Sequence, residues 1–125
     1  MRDAVQGIKA EVVALSKKSL KRYSVYPSRT DFVFENASFH FSQPQPRDLA
    51  IQLAMLEDFV KYLQLPLKTD FHDMKVAPGR SSYFKGIKGV NIIDSSYNAH
   101  IISMQSMLDM VRRLHAGHKW LVIGD

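Results

Sequence analysis

The 125-residue chain is 46% hydrophobic and 23% charged and has no cysteine, a profile that fits one globular domain able to bury a core without staples. Disulfides and thiolate-bound metals are thereby excluded, and no apolar run approaches the roughly 20 residues that span a bilayer. The net charge of +5 raises the question of a polyanionic partner, yet the basic stretch Lys17, Lys18, Lys21, Arg22 and Arg29 carries no binding motif. It reads as the solvated face of a helix and its exit loop rather than a nucleic-acid patch.

In chain order, the opening Met1 to Gln6 lacks the apolar stretch of a secretory signal, so a cytoplasmic location is expected. A short helix leads to Glu11-Val12-Val13-Ala14-Leu15, which reads as a buried strand. Phe32 to Glu35 and Ala37 to Phe41 alternate aromatic and polar residues around Asn36, the pattern of an antiparallel hairpin. Pro44 and Pro46 end it, since each proline removes a ladder donor. From Asp48 to Gln64, Leu49, Leu53, Leu56, Val60 and Leu63 recur on one helical face. A second short helix is expected over 68–74.

Pro78-Gly79-Arg80 is the clearest punctuation in the chain and the expected domain boundary. Beyond it, Ser82 to Phe84 and Val90 to Asp94 read as strands about a glycine-bearing turn. Ser103 is expected to cap a helix with the stripe Met104, Met107, Leu108, Val111 and Leu114, stopping at Gly117. Lys119 to Ile123 is an apolar run of the kind found in buried parallel strands. The final third is thus expected to be a right-handed βαβ unit. Two strands and one helix leave their sheet uncovered, so the sequence is expected to be a piece of a larger protein.

The block Asp94-Ser95-Ser96-Tyr97-Asn98-Ala99-His100 lies where such sheets hold ligands, at a strand's carboxyl end. Asp94 suits ribose hydroxyls, the serines suit phosphate or carboxylate at a helix start, Tyr97 offers a stacking face and Asn98 a polar edge. The same residues also serve to turn and cap a chain, and on the residues alone the two readings stand even. His72-Asp73 is no metal site, because adjacent residues do not face the same way.

The ordered series Pro78-Gly79-Arg80, Ile92 to Ala99, Ser103-Met104 and Val122-Ile123-Gly124-Asp125 resembles the Mur ligases, most closely the branch that adds D-alanyl-D-alanine to the UDP-N-acetylmuramoyl tripeptide. The resemblance implies an α/β chain: the end of a central ATPase domain (hairpin plus helix, 1–79), then the first βαβ unit of a Rossmann-like C-terminal domain (80–125). It further implies that Arg80 lies by the nucleotide and that Asp94, or Ser95 beside it, holds the ribose; Tyr97 and Asn98 are added as nucleotide contacts by their own chemistry, and His100 as a residue that could donate to substrate. Relatives of that branch carry two adjacent aspartates where this chain has Asp94-Ser95, so the ribose position falls on either. They also carry asparagine-proline at His100-Ile101.

The parent enzyme implied by the resemblance uses ATP and magnesium, acts on a UDP-muramoyl-peptide precursor, and belongs to peptidoglycan synthesis in the cytoplasm. Its phosphate-binding loop, of the form G-x-x-x-x-G-K-[ST], occurs nowhere in this sequence. The magnesium-binding acid, the modified lysine and the domain that grips the UDP sugar would precede Met1. The chain alone is therefore expected to be non-catalytic and to hold no cofactor tightly. The alternative is a stand-alone α/β binding module with its own hydrophobic core.

Overall fold

The computed structural model describes residues 19–97 and 99–124. The expected opening helix and the strand at Glu11 to Leu15 lie outside them. Mixed α/β architecture is what the rest shows. A four-stranded sheet has the order β1 (Arg22–Tyr26), β2 (Arg29–Val33), β3 (Ser38–Phe41), β4 (Asp70–Phe71), and α1 (Leu49–Tyr62) packs on it. A separate hairpin, β5 (Ser82–Lys85) with β6 (Asn91–Asp94), is followed by α2 (Ile101–Arg113).

The hairpin about Asn36 forms as β2 and β3, antiparallel, with Phe32 opposite Phe39. The Phe34 amide closes the turn onto the Ala37 carbonyl at 2.8 Å. Period-two alternation sends Thr30, Phe32, Phe34, Phe39 and Phe41 to one face, where all are buried. Their rings interlock: Phe32 meets Phe41 edge-on at 5.8 Å, and Phe41 stacks on Phe71 of β4 at 5.1 Å. Ala50 and Leu53 of α1 complete this core. Burial of each such large side chain contributes about 1.5–3 kcal/mol.

The basic stretch is corrected in part. Arg22 to Tyr26 is not helix or loop but strand β1, paired to β2 across Pro27-Ser28. Its alternation puts Val25 in the interior. Tyr23, half-buried, donates from its hydroxyl to the Gln45 carbonyl at 2.7 Å. Thr30 Oγ1 donates to the Gln43 carbonyl and accepts from the Gln45 amide, both at 2.9 Å. The proline-rich loop is thus tied down by side chains in place of the ladder its prolines forgo.

The α1 helix ends in a Schellman motif: the Leu65 amide reaches the Val60 carbonyl, the Gln64 amide reaches Lys61, and Gln64 takes φ 55°. Pro66 then bars continuation. The expected helix over 68–74 is absent. Asp70–Phe71 instead joins β3 as a two-residue parallel strand, because Phe71 is captured by the ring cluster.

Two further corrections concern the last third. The α2 helix begins at Ile101, capped by His100 rather than by Ser103, and stops at Arg113, short of Gly117. And Lys119 to Ile123 is not a strand: the residues are exposed and without regular structure, with Trp120 at 90% and Val122 at 93% exposure. The βαβ unit is therefore β6 and α2 without the second parallel strand. A parallel pair flanked by one helix would leave a face of both strands in water, and that state is not stable.

Candidate functional site

The expected site residues gather around a turn. Pro78 and Gly79 occupy the second and third places of a β-turn closed by the Arg80 amide on the Ala77 carbonyl at 3.2 Å. Gly79 takes φ +75°; proline followed by a positive-φ glycine is the signature of a type II turn. This turn lies against the end of β6. The Tyr97 amide donates to the Gly79 carbonyl at 3.0 Å, and the Gly79 amide donates to Ser82 Oγ at 3.2 Å. Gly79 is buried, and a Cβ built there would meet the Tyr97 Cβ at 2.9 Å. Glycine is required here for both conformation and space.

Asp94 ends β6 opposite Ser82. Its Oδ1 accepts from the Ser96 amide at 3.0 Å. The Ser96 side chain and amide, with the Gly79 amide, stabilise the carboxylate against a smaller opposing desolvation and hold its pKa below the ordinary aspartate value. Asp94 is thus an ionised acceptor at neutral pH. Arg80 places its guanidinium 4.5 Å from the centroid of the exposed Tyr97 ring, a cation–π contact that fixes both side chains. Ser95 is half-buried between Asp94 and Ser96.

So the structure brings Arg80, Asp94, Ser95 and Tyr97 to one place. Asn98 lies outside the described residues. His100 is engaged with α2: its Nδ1 accepts from the Ser103 amide at 3.3 Å while Ser103 Oγ accepts from the His100 amide at 3.0 Å. That is a capping box, and it gives His100 a structural task. Sequence reasoning missed Gly79, Ser82 and Ser96 as the residues that assemble the cluster. The available signals were the Pro78-Gly79 pair and the Asp94-x-Ser96 spacing of an Asx turn.

The α2 helix ties the hairpin to the large sheet. Ser81 Oγ contacts Met107 Sδ at 3.0 Å, Met110 is 1% exposed, and the Arg113 guanidinium stands 5.8 Å from the Tyr23 ring centroid. Burial, partly offset by the Arg113 charge, raises the Tyr23 pKa far above its usual value. Among the described residues no cluster of three or more histidine, aspartate or glutamate side chains could hold a metal ion, and no helix is long and apolar enough to cross a membrane.

No protein-family model and no curated protein matches the sequence. Solved structures that share the fold are Mur ligases of the MurF kind. The crystal structure of MurF ligase from Thermotoga maritima in complex with ADP matches with a TM-score of 0.66 and 24% identity, over 77% of this chain and 23% of that one. MurF from Acinetobacter baumannii matches with a TM-score of 0.62 and 15% identity, over 77% and 22%. The chain therefore spans under a quarter of the length of the ligases it matches, and at these identities the likeness is one of fold.

Proposed function

We propose that this chain is a portion of an ATP-dependent amide ligase of peptidoglycan-precursor synthesis. It supplies contacts to the nucleotide's ribose and base and the junction between two domains, 1–79 and 80–125, and it is not catalytic alone. The observation that carries the reading is the Gly79 turn, which holds an ionised aspartate, an arginine and an exposed tyrosine together. It does so in a fold shared with a ligase solved with ADP.

The roles follow from the chemistry. Asp94 accepts from ribose hydroxyls through the lone pairs that Ser96 leaves open, with Ser95 as the neighbouring candidate. Tyr97, covered by Arg80 on one side, offers its ring to the base together with Asn98. The forked, permanently charged Arg80 suits phosphate oxygens, and His100 is the candidate for a substrate contact beside its capping task. The parent enzyme phosphorylates a carboxylate of the UDP-muramoyl-peptide with ATP, and an amine then attacks the acyl phosphate. This chain's share is positioning, in the cytoplasm, where ATP and the precursor are made.

Two measurements test the reading on the 125-residue chain. Titration with ADP, followed by amide chemical shifts, should perturb Arg80, Ser95 and Tyr97 with millimolar affinity, because half a site forgoes most contacts. Incubation with ATP, magnesium, UDP-muramoyl-tripeptide and D-alanyl-D-alanine should release no phosphate, because phosphoryl transfer needs a phosphate cradle and a held metal. Turnover that tracks the chain through purification and vanishes in Asp94→Ala would overturn it. The aromatic core shared by the large sheet and α1 favours a second reading, a stand-alone binding module, and ADP shifts absent from all three amides would select that one.

A further inference from the structure

The outer face of the four-stranded sheet has no part in the nucleotide reading, yet it is concave. A groove of about 450 Å³ runs across it, within the size range of small-molecule sites. Alternation dictates its lining: with the phenylalanines turned inward, Arg29, Asp31, Ser38, His40, Asp70 and His72 are left on the opposite side.

Asp31 organises this face. It is the least exposed of the charged groups, with its side chain 15% accessible, and its two oxygens are divided between neighbours. Arg29 Nε lies 3.0 Å from Oδ2, and His40 Nδ1 lies 2.9 Å from Oδ1. Arg29 is also held over the Tyr26 ring at 5.1 Å. Asp70 is likewise engaged, its Oδ1 accepting from the His72 amide at 2.9 Å, and Ser42 fixes the His72 carbonyl at 2.7 Å. The Asp31 carboxylate is therefore turned to internal use through both oxygens, and Asp70 through one. The donors among the remaining lining residues are the other Arg29 nitrogens, the Ser28 and Ser38 hydroxyls and the Arg22 guanidinium. Arg22 pairs in register with Val33, four residues from Arg29 along β2, which puts the two arginine backbones about 13 Å apart.

We infer that this groove is a binding site for a small anion-bearing ligand, a phosphate or carboxylate compound. The Arg29 end, pre-ordered by Asp31, grips the anionic group, and Arg22 attracts it from the other end. Rotamers already fixed by Asp31 and Tyr26 spare the ligand the ordering cost that exposed arginines normally impose. A planar fork suits either oxyanion. The site shares no residue with the cluster around Gly79 and stands or falls independently of it.

The probes are inorganic phosphate and acetate, titrated into the 125-residue chain at constant ionic strength with sodium chloride as balance. Amide shifts of Asp31, Ser38, His40 and His72 should move saturably with phosphate, half-complete in the low millimolar range. A stronger response to acetate than to phosphate would assign the carboxylate source, and the reverse the phosphoryl source. Arg22→Gln removes a side chain that makes no hydrogen bond or ion pair among the described residues and should weaken binding several-fold; Arg29→Gln should weaken it more, with both variants keeping the wild-type spectrum elsewhere. Shifts no larger than those from sodium chloride, or equal affinity in wild type and both variants, would overturn the inference.

Discussion

Gly79→Ala is the most demanding test of how the candidate site is built. The substitution imposes two costs that the structure separates. The backbone sits at φ +75°, where a non-glycine residue costs about 1–2 kcal/mol. The new Cβ would lie 2.9 Å from the Tyr97 Cβ and 3.1 Å from its backbone nitrogen, with Ser96 Oγ at 3.4 Å. Two of these neighbours are a backbone atom and the rigid root of a side chain, so relief requires the 94–97 segment to move, and overpacking of this kind costs about 1–3 kcal/mol. Together the expected loss is about 2–5 kcal/mol, a large part of the roughly 5–15 kcal/mol that holds a domain folded. Urea unfolding measures the total, and amide exchange at Tyr97, whose N–H bonds the Gly79 carbonyl, measures the local part. Gly79→Asn keeps the clash but relieves part of the backbone cost, so it should recover some stability without restoring Tyr97 protection. A Gly79→Ala variant within about 0.5 kcal/mol of wild type, with Tyr97 exchange unchanged, would refute the tight-turn account.

Phe39→Ala empties the centre of the aromatic core and should cost about 3–5 kcal/mol in chemical denaturation; a loss near 1 kcal/mol would mean that the sheet closes over the gap. His100→Ala removes the α2 cap and should lower helix stability by about 1 kcal/mol, read by amide exchange across 101–105, with His100→Ser restoring most of it. The depressed Asp94 pKa sets a pH dependence with a definite sign. Its contribution is complete above an unfolded aspartate's value of about 4 and is lost as the pH falls through the lower folded value. Asp94→Asn should flatten that limb of the stability profile, and an identical acid limb in wild type and variant would show that the carboxylate is not engaged.

What could be read from the sequence depended on whether the cause was local. The β2–β3 hairpin and α1 were legible because alternation and a four-three spacing are written into consecutive residues. Strand β1 was obscured: Tyr23 and Val25 alternate properly, but the flanking lysines and arginines resemble a solvated helix face. Strand β4 has no signal of its own, since two residues become a strand only by pairing with His40 and Phe41. The run Trp120 to Ile123 shows the converse, a strong strand preference without a ladder to join. Of the candidate site, Arg80, Asp94 and Tyr97 were identified as individual residues. Their assembly was not legible, because the contact between Gly79 and Tyr97 spans the entire second hairpin and leaves no local pattern. His100 as a cap was unforeseen because histidine is not among the side chains that commonly take that position.

The exposed run at Trp120 to Ile123 also governs how copies of the chain behave toward one another. Its root is anchored, with Lys119 Nζ donating to the Arg112 carbonyl at 3.0 Å, one of the acceptors that a helix end leaves over. Four apolar residues follow it exposed to water, a sticky segment of the kind that nucleates intermolecular pairing. Opposing this is the net charge of +5, which makes identical molecules repel. At physiological salt that repulsion reaches only about 8 Å, roughly the length of a tryptophan side chain, so colloidal protection is nearly spent where adhesion begins. Solubility should accordingly fall as ionic strength rises, and replacement of Trp120 and Val122 by serine should raise it while the unfolding transition stays in place.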